Sequence, residues 1–187
     1  MNKDKKAKRA NGDKKENIMR MIKIEKVVLN IGGTEDKLER GFILLEKLSG
    51  KKPVKVKALK RIPTWNVRPG LEVGTKVTLR GKEAEEMLAK ILPAIGNELK
   101  EKQIRDNYFS FGIHEYIEIP GMSYIREVGI MGLEVTAVFT RAGRRVERKK
   151  VKKGKIRKNK QWVSAEEIEK FMTEKFKIKI IRRKTKK

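Results

Sequence analysis

Apolar positions along the chain fall into alternating runs and helix-spaced runs that interleave irregularly. From Met21 the pattern alternates at Ile22 and Ile24, then becomes nearly continuous through Val27, Val28, Leu29 and Ile31, as in a strand within a sheet. Gly32-Gly33 ends that strand, and Thr34 is placed to cap a helix with Glu35 and Asp36 in its first turn, where the helix dipole favours acids. Leu38, Phe42, Leu45 and Leu48 share one face of this helix, and Gly50 supplies its stop. Val54 and Val56 mark a short strand. Residues 59–70, LKRIPTWNVRPG, have no period and read as a long loop. Another strand runs from Val73 to Arg80. Residues 82–97 read as a helix, with Ala84, Met87, Leu88, Ile91, Leu92 and Ile95 inward and Pro93 kinking or ending it.

Phe109, Phe111 and Ile113 alternate with Ser110, Gly112 and His114, and Ile117 and Ile119 extend that strand to the turn at Pro120-Gly121. Leu133, Val135, Ala137 and Phe139 alternate again before Arg141-Ala142-Gly143 turns the chain. Ser164 with Glu167 fits a capping box, opening a helix that carries Ile168, Phe171 and Met172. The expected fold class is α+β, a mostly antiparallel sheet with helices packed on one face. Residues 1–17 read as a flexible, disordered basic arm, 18–181 as one domain and 182–187 as a basic tail.

Charge narrows the function. The chain of 187 residues carries 49 Lys and Arg against 24 Asp and Glu, a net charge of +25. Such an excess repels itself unless a polyanion neutralises it, which leaves nucleic acid or an anionic membrane. No stretch approaches the roughly 20 apolar residues of a spanning helix, and the N-terminus has no apolar segment of the secretory kind. Nucleic acid is the expected partner, with no membrane. Cysteine is absent and His114 is the single histidine, so thiolate and most histidine-based metal or catalytic designs are excluded.

Three constellations remain. In the long loop, Lys57, Lys60, Arg61 and Arg68 surround Trp65. The cations suit phosphates and the indole suits stacking on an unpaired base, unless Trp65 folds back as a cap on the core. In the basic run 144–160, with Glu147 its one acid, Val146, Val151, Ile156 and Trp162 interleave with or follow the charges; this favours an extended segment ordered on RNA over a solvated linker. Ile31-Gly32-Gly33-Thr34 has the context of a phosphate-binding turn but neither the G-x-G-x-x-G spacing nor a Gly-Lys-Ser/Thr, so a plain turn is expected. His114 beside Glu115 and Glu118 makes no acid/base set, because neighbours on a strand point to opposite faces. An enzyme is not expected. A free nucleic-acid-binding regulator would show a helix-turn-helix or a dimer repeat, and neither is visible.

Five segments in order, IEKVVLNIGG, LLEKLSGKKPVKVKA, VGTKVTLRG, NYFSFGIHEYIEIPG and VGIMGLEVTAVFTRAG, resemble large-subunit ribosomal protein five. The NIMR opening and RAGRRVERKK are similar to its archaeal and eukaryotic branch. The resemblance implies an rRNA-binding, cytoplasmic, ribosome-associated protein without cofactor that attaches 5S rRNA to large-subunit rRNA in the central protuberance. It places RNA contacts on Asn30, Lys51, Trp65 and Thr78. Gln is common in the family where Lys51 stands, and Phe where Trp65 stands. Arg80, Arg144, Arg145, Arg148, Lys149 and Lys150 are the further rRNA-binding candidates. The family's loop toward P-site tRNA falls here on 59–70, with Lys60, Arg61, Trp65, Asn66 and Arg68 as contacts. Neighbouring large-subunit proteins and a small-subunit head protein are implied partners.

Overall fold

The computed structural model describes residues 17–157 and 161–182. The expected arm and tail lie outside these residues but for Asn17 and Arg182. Ile22–Gly32 forms β1, Asp36–Ser49 α1, Val54–Lys57 β2 and Glu72–Leu79 β3. Lys82–Ile91 forms α2, Glu98–Lys100 β4, Ile104–Arg105 β5, Tyr108–Ile113 β6 and Leu133–Arg141 β7. A short helical turn, α3 (Arg145–Arg148), is followed by α4 (Ala165–Phe176) and β8 (Lys179–Ile181). The main sheet has six strands in the order β2-β3-β1-β7-β6-β5, every pair antiparallel. A second, parallel pair joins β4 to β8. The expected α+β class is the observed one.

Strand alternation decides which face meets the helices. Val27, Leu29 and Ile31 on β1, Val77 and Leu79 on β3, and Val135, Ala137 and Phe139 on β7 are buried, and they join Leu44, Leu88 and Ile168 of the helices in one core. A chain of aromatic rings runs beneath β6 and β7 into α4. Phe109 stacks between Phe111 and Phe139 at centroid distances of 5.9 and 5.7 Å, and Phe171 meets Phe139 edge-on at 5.7 Å. Helix α1 lies close on the sheet at Gly41, where an added Cβ would sit 3.0 Å from the Ile31 side chain.

Several boundaries differ from the pattern's expectation. Helix α1 is preceded not by a Thr34 cap but by Glu35, at φ 50° and with no side-chain cap hydrogen bond. The strand of Phe109 stops at Ile113. Residues Tyr116–Glu118 form a 3-10 turn, because Tyr116 turns inward, fully buried, and its hydroxyl accepts from the Ile125 N–H at 2.8 Å. Ile117 is left exposed there and does not extend the strand. Pro93 ends α2 early, in a 3-10 turn over Leu92–Ile95. The capping box forms as expected: Ser164 Oγ accepts from the Glu167 N–H at 3.4 Å and Glu167 accepts from the Ser164 N–H at 3.2 Å.

Candidate nucleic-acid interface

The face of the sheet away from the helices is bare and carries short, mostly uncharged side chains. Register places Thr78, Val28, Thr136 and Ser110 in one cross-strand row, and Val54, Lys76, Asn30, Glu134 and Gly112 in the next. Asn30 and Thr78 thus share this face. The Asn30 amide donates to Glu134 at 3.5 Å, a long contact that leaves it accessible. Sequence reasoning passes over Lys76, although the alternation of VGTKVTLRG puts it on the same face as Thr78.

At the Gly32 end of this face stands the long loop. It is better ordered than its lack of period suggests. The Ala58 N–H donates to Leu71 O at 2.8 Å, Ile62 and Val67 bridge at 2.9 and 3.1 Å, and Val67 is buried. These bonds make the segment a hairpin whose tip, a 3-10 turn over Pro63–Trp65, ends on Asn66 in the left-handed region. Trp65 is 72% exposed and does not cap the core. Lys60, Arg61, Asn66 and Arg68 are all exposed, and none of the three cations makes an ion pair among the described residues. Between the hairpin and the Gly32–Thr34 turn lies an open cleft of about 930 Å³, lined by Leu59, Ile62, Trp65, Lys37 and Lys60 but by no acid.

The opposite end of the face meets the second basic segment. Residues 145–148 form a helical turn rather than extended chain, and the segment folds back where the Gly154 N–H donates to Val146 O at 3.2 Å. Local i-to-i−3 and i-to-i−4 bonds close this turn, a possibility that a run of like charge conceals. Arg144 and Arg148 both pair with Glu25 of β1. Arg145, Lys149 and Lys150 are exposed and unpaired among the described residues, and Arg80 is exposed at the end of β3. Residues 158–160 of the basic run lie outside the described residues. Lys51 stands apart from the rest: its ammonium pairs with Glu83 on α2, on the helical side.

Charge is divided between the layers. Acidic and basic residues number three against three in α1, three against two in α2 and four against two in α4, so the main helices carry a net negative charge. The excess of a chain with net charge +25 therefore sits in the strands, loops and termini. No cluster of His, Asp or Glu able to hold a metal occurs among the described residues, and no described helix is long and apolar enough to cross a membrane. His114 is exposed beyond the end of β6.

A bare sheet face flanked by two cationic segments and backed by an acid-leaning helical layer is the architecture of a binding protein rather than a catalyst. Sequence comparison specifies which. Residues 17–68 match the family model described as Ribosomal protein L5, and residues 72–180 match the model for the C-terminus of the same ribosomal family. The Large ribosomal subunit protein uL5 of Nanoarchaeum equitans is 46% identical over 169 residues, covering 89% of this chain and 99% of that protein. Proteins of the same name from Sulfurisphaera tokodaii and Sulfolobus acidocaldarius are 43% and 41% identical, covering 88% and 90% of this chain and 95% and 96% of those proteins. The chain belongs to the ribosomal protein L5 family, in its archaeal form, and is a structural, non-catalytic constituent of the large ribosomal subunit.

Proposed function

We propose that the bare sheet face grips 5S rRNA and, with the two flanking basic segments, attaches it to large-subunit rRNA in the central protuberance. The observation that carries this reading is the asymmetry of the two layers. Phosphate binding rests on cations and on the counterions they release; the main helices carry a net negative charge, whereas two basic segments flank the bare face. Asn30 and Thr78 supply hydrogen-bonding groups for shape-specific contacts to an RNA loop, and neither requires bulk to be moved aside. The exposed indole at the hairpin tip offers a stacking surface beside Lys60, Arg61, Asn66 and Arg68, which suits a reach toward P-site tRNA. Neighbouring large-subunit proteins and a small-subunit head protein remain the expected protein partners. Lys51, paired on the helical side, is the weakest member of the proposed contact set.

Paired charge reversals test the face. Lys76→Glu, on the bare side, is expected to weaken 5S rRNA binding about tenfold or more at moderate salt, whereas Lys90→Glu, exposed on α2, changes it little. Equal effects of the two reversals would contradict the assignment.

A further inference from the structure

One acid lies where the proposed RNA grip begins. Strand β1 carries a bulge against β7: Ile24 pairs with Phe139 and Lys26 with Val138, so Glu25 is the extra residue. Ile24 and Val27 both face the helices, which leaves Glu25 and Lys26 on the bare side. A carboxylate there would ordinarily be solvated and would repel phosphate. Instead the Glu25 side chain is only 6% exposed, covered by Arg144, which donates from Nη1 at 3.2 Å, and by Arg148, which donates to its other oxygen.

We infer that Glu25 is a positioning residue for RNA binding: its carboxylate gathers Arg144 and Arg148 and holds the basic segment as a preformed clamp at this end of the sheet face. The inference rests on the RNA-binding role proposed above for that face. Each guanidinium has five N–H donors, and the contact with Glu25 leaves most of them free. Arg144 and Arg148 remain 38% and 46% exposed, so their outer edges are open to phosphate while their inner edges are fixed. Arg145, Lys149 and Lys150 crowd the same turn with Glu147 as the one acid within it, and without Glu25 their repulsion favours an open chain. The fold-back at Gly154 is tight: its N–H donates to Val146 O at 3.2 Å, and a Cβ there would approach the Val146 side chain to 2.7 Å. From Glu25 to Gly32, seven residues of strand at about 3.3 Å each set the clamp roughly 23 Å from the hairpin end of the face.

The sign of one substitution separates positioning from masking. If Glu25 merely screened the arginines, Glu25→Gln would strengthen RNA binding, because it removes a negative charge and releases two cations. A positioning role predicts the reverse. With full-length protein and a salt titration, Glu25→Gln is expected to bind 5S rRNA about tenfold more weakly, with the slope of log K against log salt reduced in magnitude by about 1 to 2 as phosphate contacts are lost. Glu25→Asp, which keeps the charge, is expected to restore much of that slope. Limited proteolysis of Glu25→Gln should cut first within residues 144–157, with the sheet intact. Tighter binding, or an unchanged affinity and slope, would overturn the inference. Running the same titrations on an unrelated RNA of equal length separates the two claims. Wild-type protein showing no preference for 5S rRNA defeats the functional proposal, whereas a wild-type slope in Glu25→Gln on both RNAs defeats the positioning role alone.

Discussion

Arg141, the last residue of β7, ties three parts of the molecule together, and replacing it with Met measures that tie. Its side chain is only 13% exposed, and its guanidinium donates twice to Glu167 at 2.6 and 2.7 Å, to the Arg20 carbonyl at 2.7 Å and to the Trp162 carbonyl at 3.1 Å. The residue thereby joins the start of α4, the turn before β1 and the strand end that feeds the basic segment. Hydrogen bonds to charged groups each contribute about 1.5–3 kcal/mol, but they are not additive within one network. Glu167 is 41% exposed and both Arg20 and Trp162 lie at the surface, so water can replace much of what is lost. Met retains the aliphatic packing of the stem. The net cost of Arg141→Met is therefore about 2–3 kcal/mol, and a chain of this size loses about 2–4 °C of Tm per kcal/mol. The expected drop of about 5–10 °C is read by calorimetry at neutral pH, together with a double-mutant cycle against Glu167→Gln in urea. A Tm change below about 1 °C, or strictly additive single substitutions, would refute the claim that this network holds the three segments together.

Further predictions follow from the same contacts. Burial pulls the Glu167 carboxyl upward, but hydrogen bonds from Arg141 and Ser164 and the Arg141 charge outweigh it and hold the group below its ordinary 4.5. Its stabilising contribution is therefore complete above that ordinary value and lost as pH falls through the depressed one, so the stability gap between wild type and Glu167→Gln should narrow as the pH is lowered below 4.5; a constant gap would contradict this. Thr75 Oγ1 is buried beneath α1 without a hydrogen-bond partner, so Thr75→Val should stabilise by about 1 kcal/mol in urea denaturation, and destabilisation would show an unseen partner. Trp65→Ala should weaken RNA association by ~1–3 kcal/mol if the indole stacks on a base, with Tm unchanged because the ring is already exposed. A lowered Tm with unchanged affinity would return Trp65 to a packing role.

Much of the architecture can be read from the chain because the information is local. The alternation of VGTKVTLRG and LEVTAVFTR places one side of β3 and β7 in the core, and Ser164 with Glu167 marks the start of α4. What is not legible depends on partners distant in sequence. The pairing of β4 with β8 involves strands of three residues each, too short for any period to register. Tyr116 breaks the apparent strand because its hydroxyl finds the Ile125 N–H, which no pattern around it announces. Among the site residues, Asn30, Thr78 and Trp65 stand where motif order puts them, bare and accessible. Lys51 is exposed as well but pairs with Glu83, which lies 32 positions away in sequence yet beside it in the fold. Glu25 carries no sequence signal at all. Its importance arises from a bulge and from two arginines more than a hundred residues later.

The central claim is selective recognition of 5S rRNA by the bare sheet face, and competition binding addresses it most directly. Labelled 5S rRNA bound to the full-length protein at about 150 mM salt is challenged with unlabelled 5S rRNA or with an unrelated RNA of equal length, for wild type and for the double substitution Asn30→Ala, Thr78→Ala. The expected result is that wild type prefers 5S rRNA by at least about a hundredfold and that the double substitution loses most of the preference while keeping its affinity for the unrelated RNA. Equal competition by the two RNAs against wild-type protein would contradict the account.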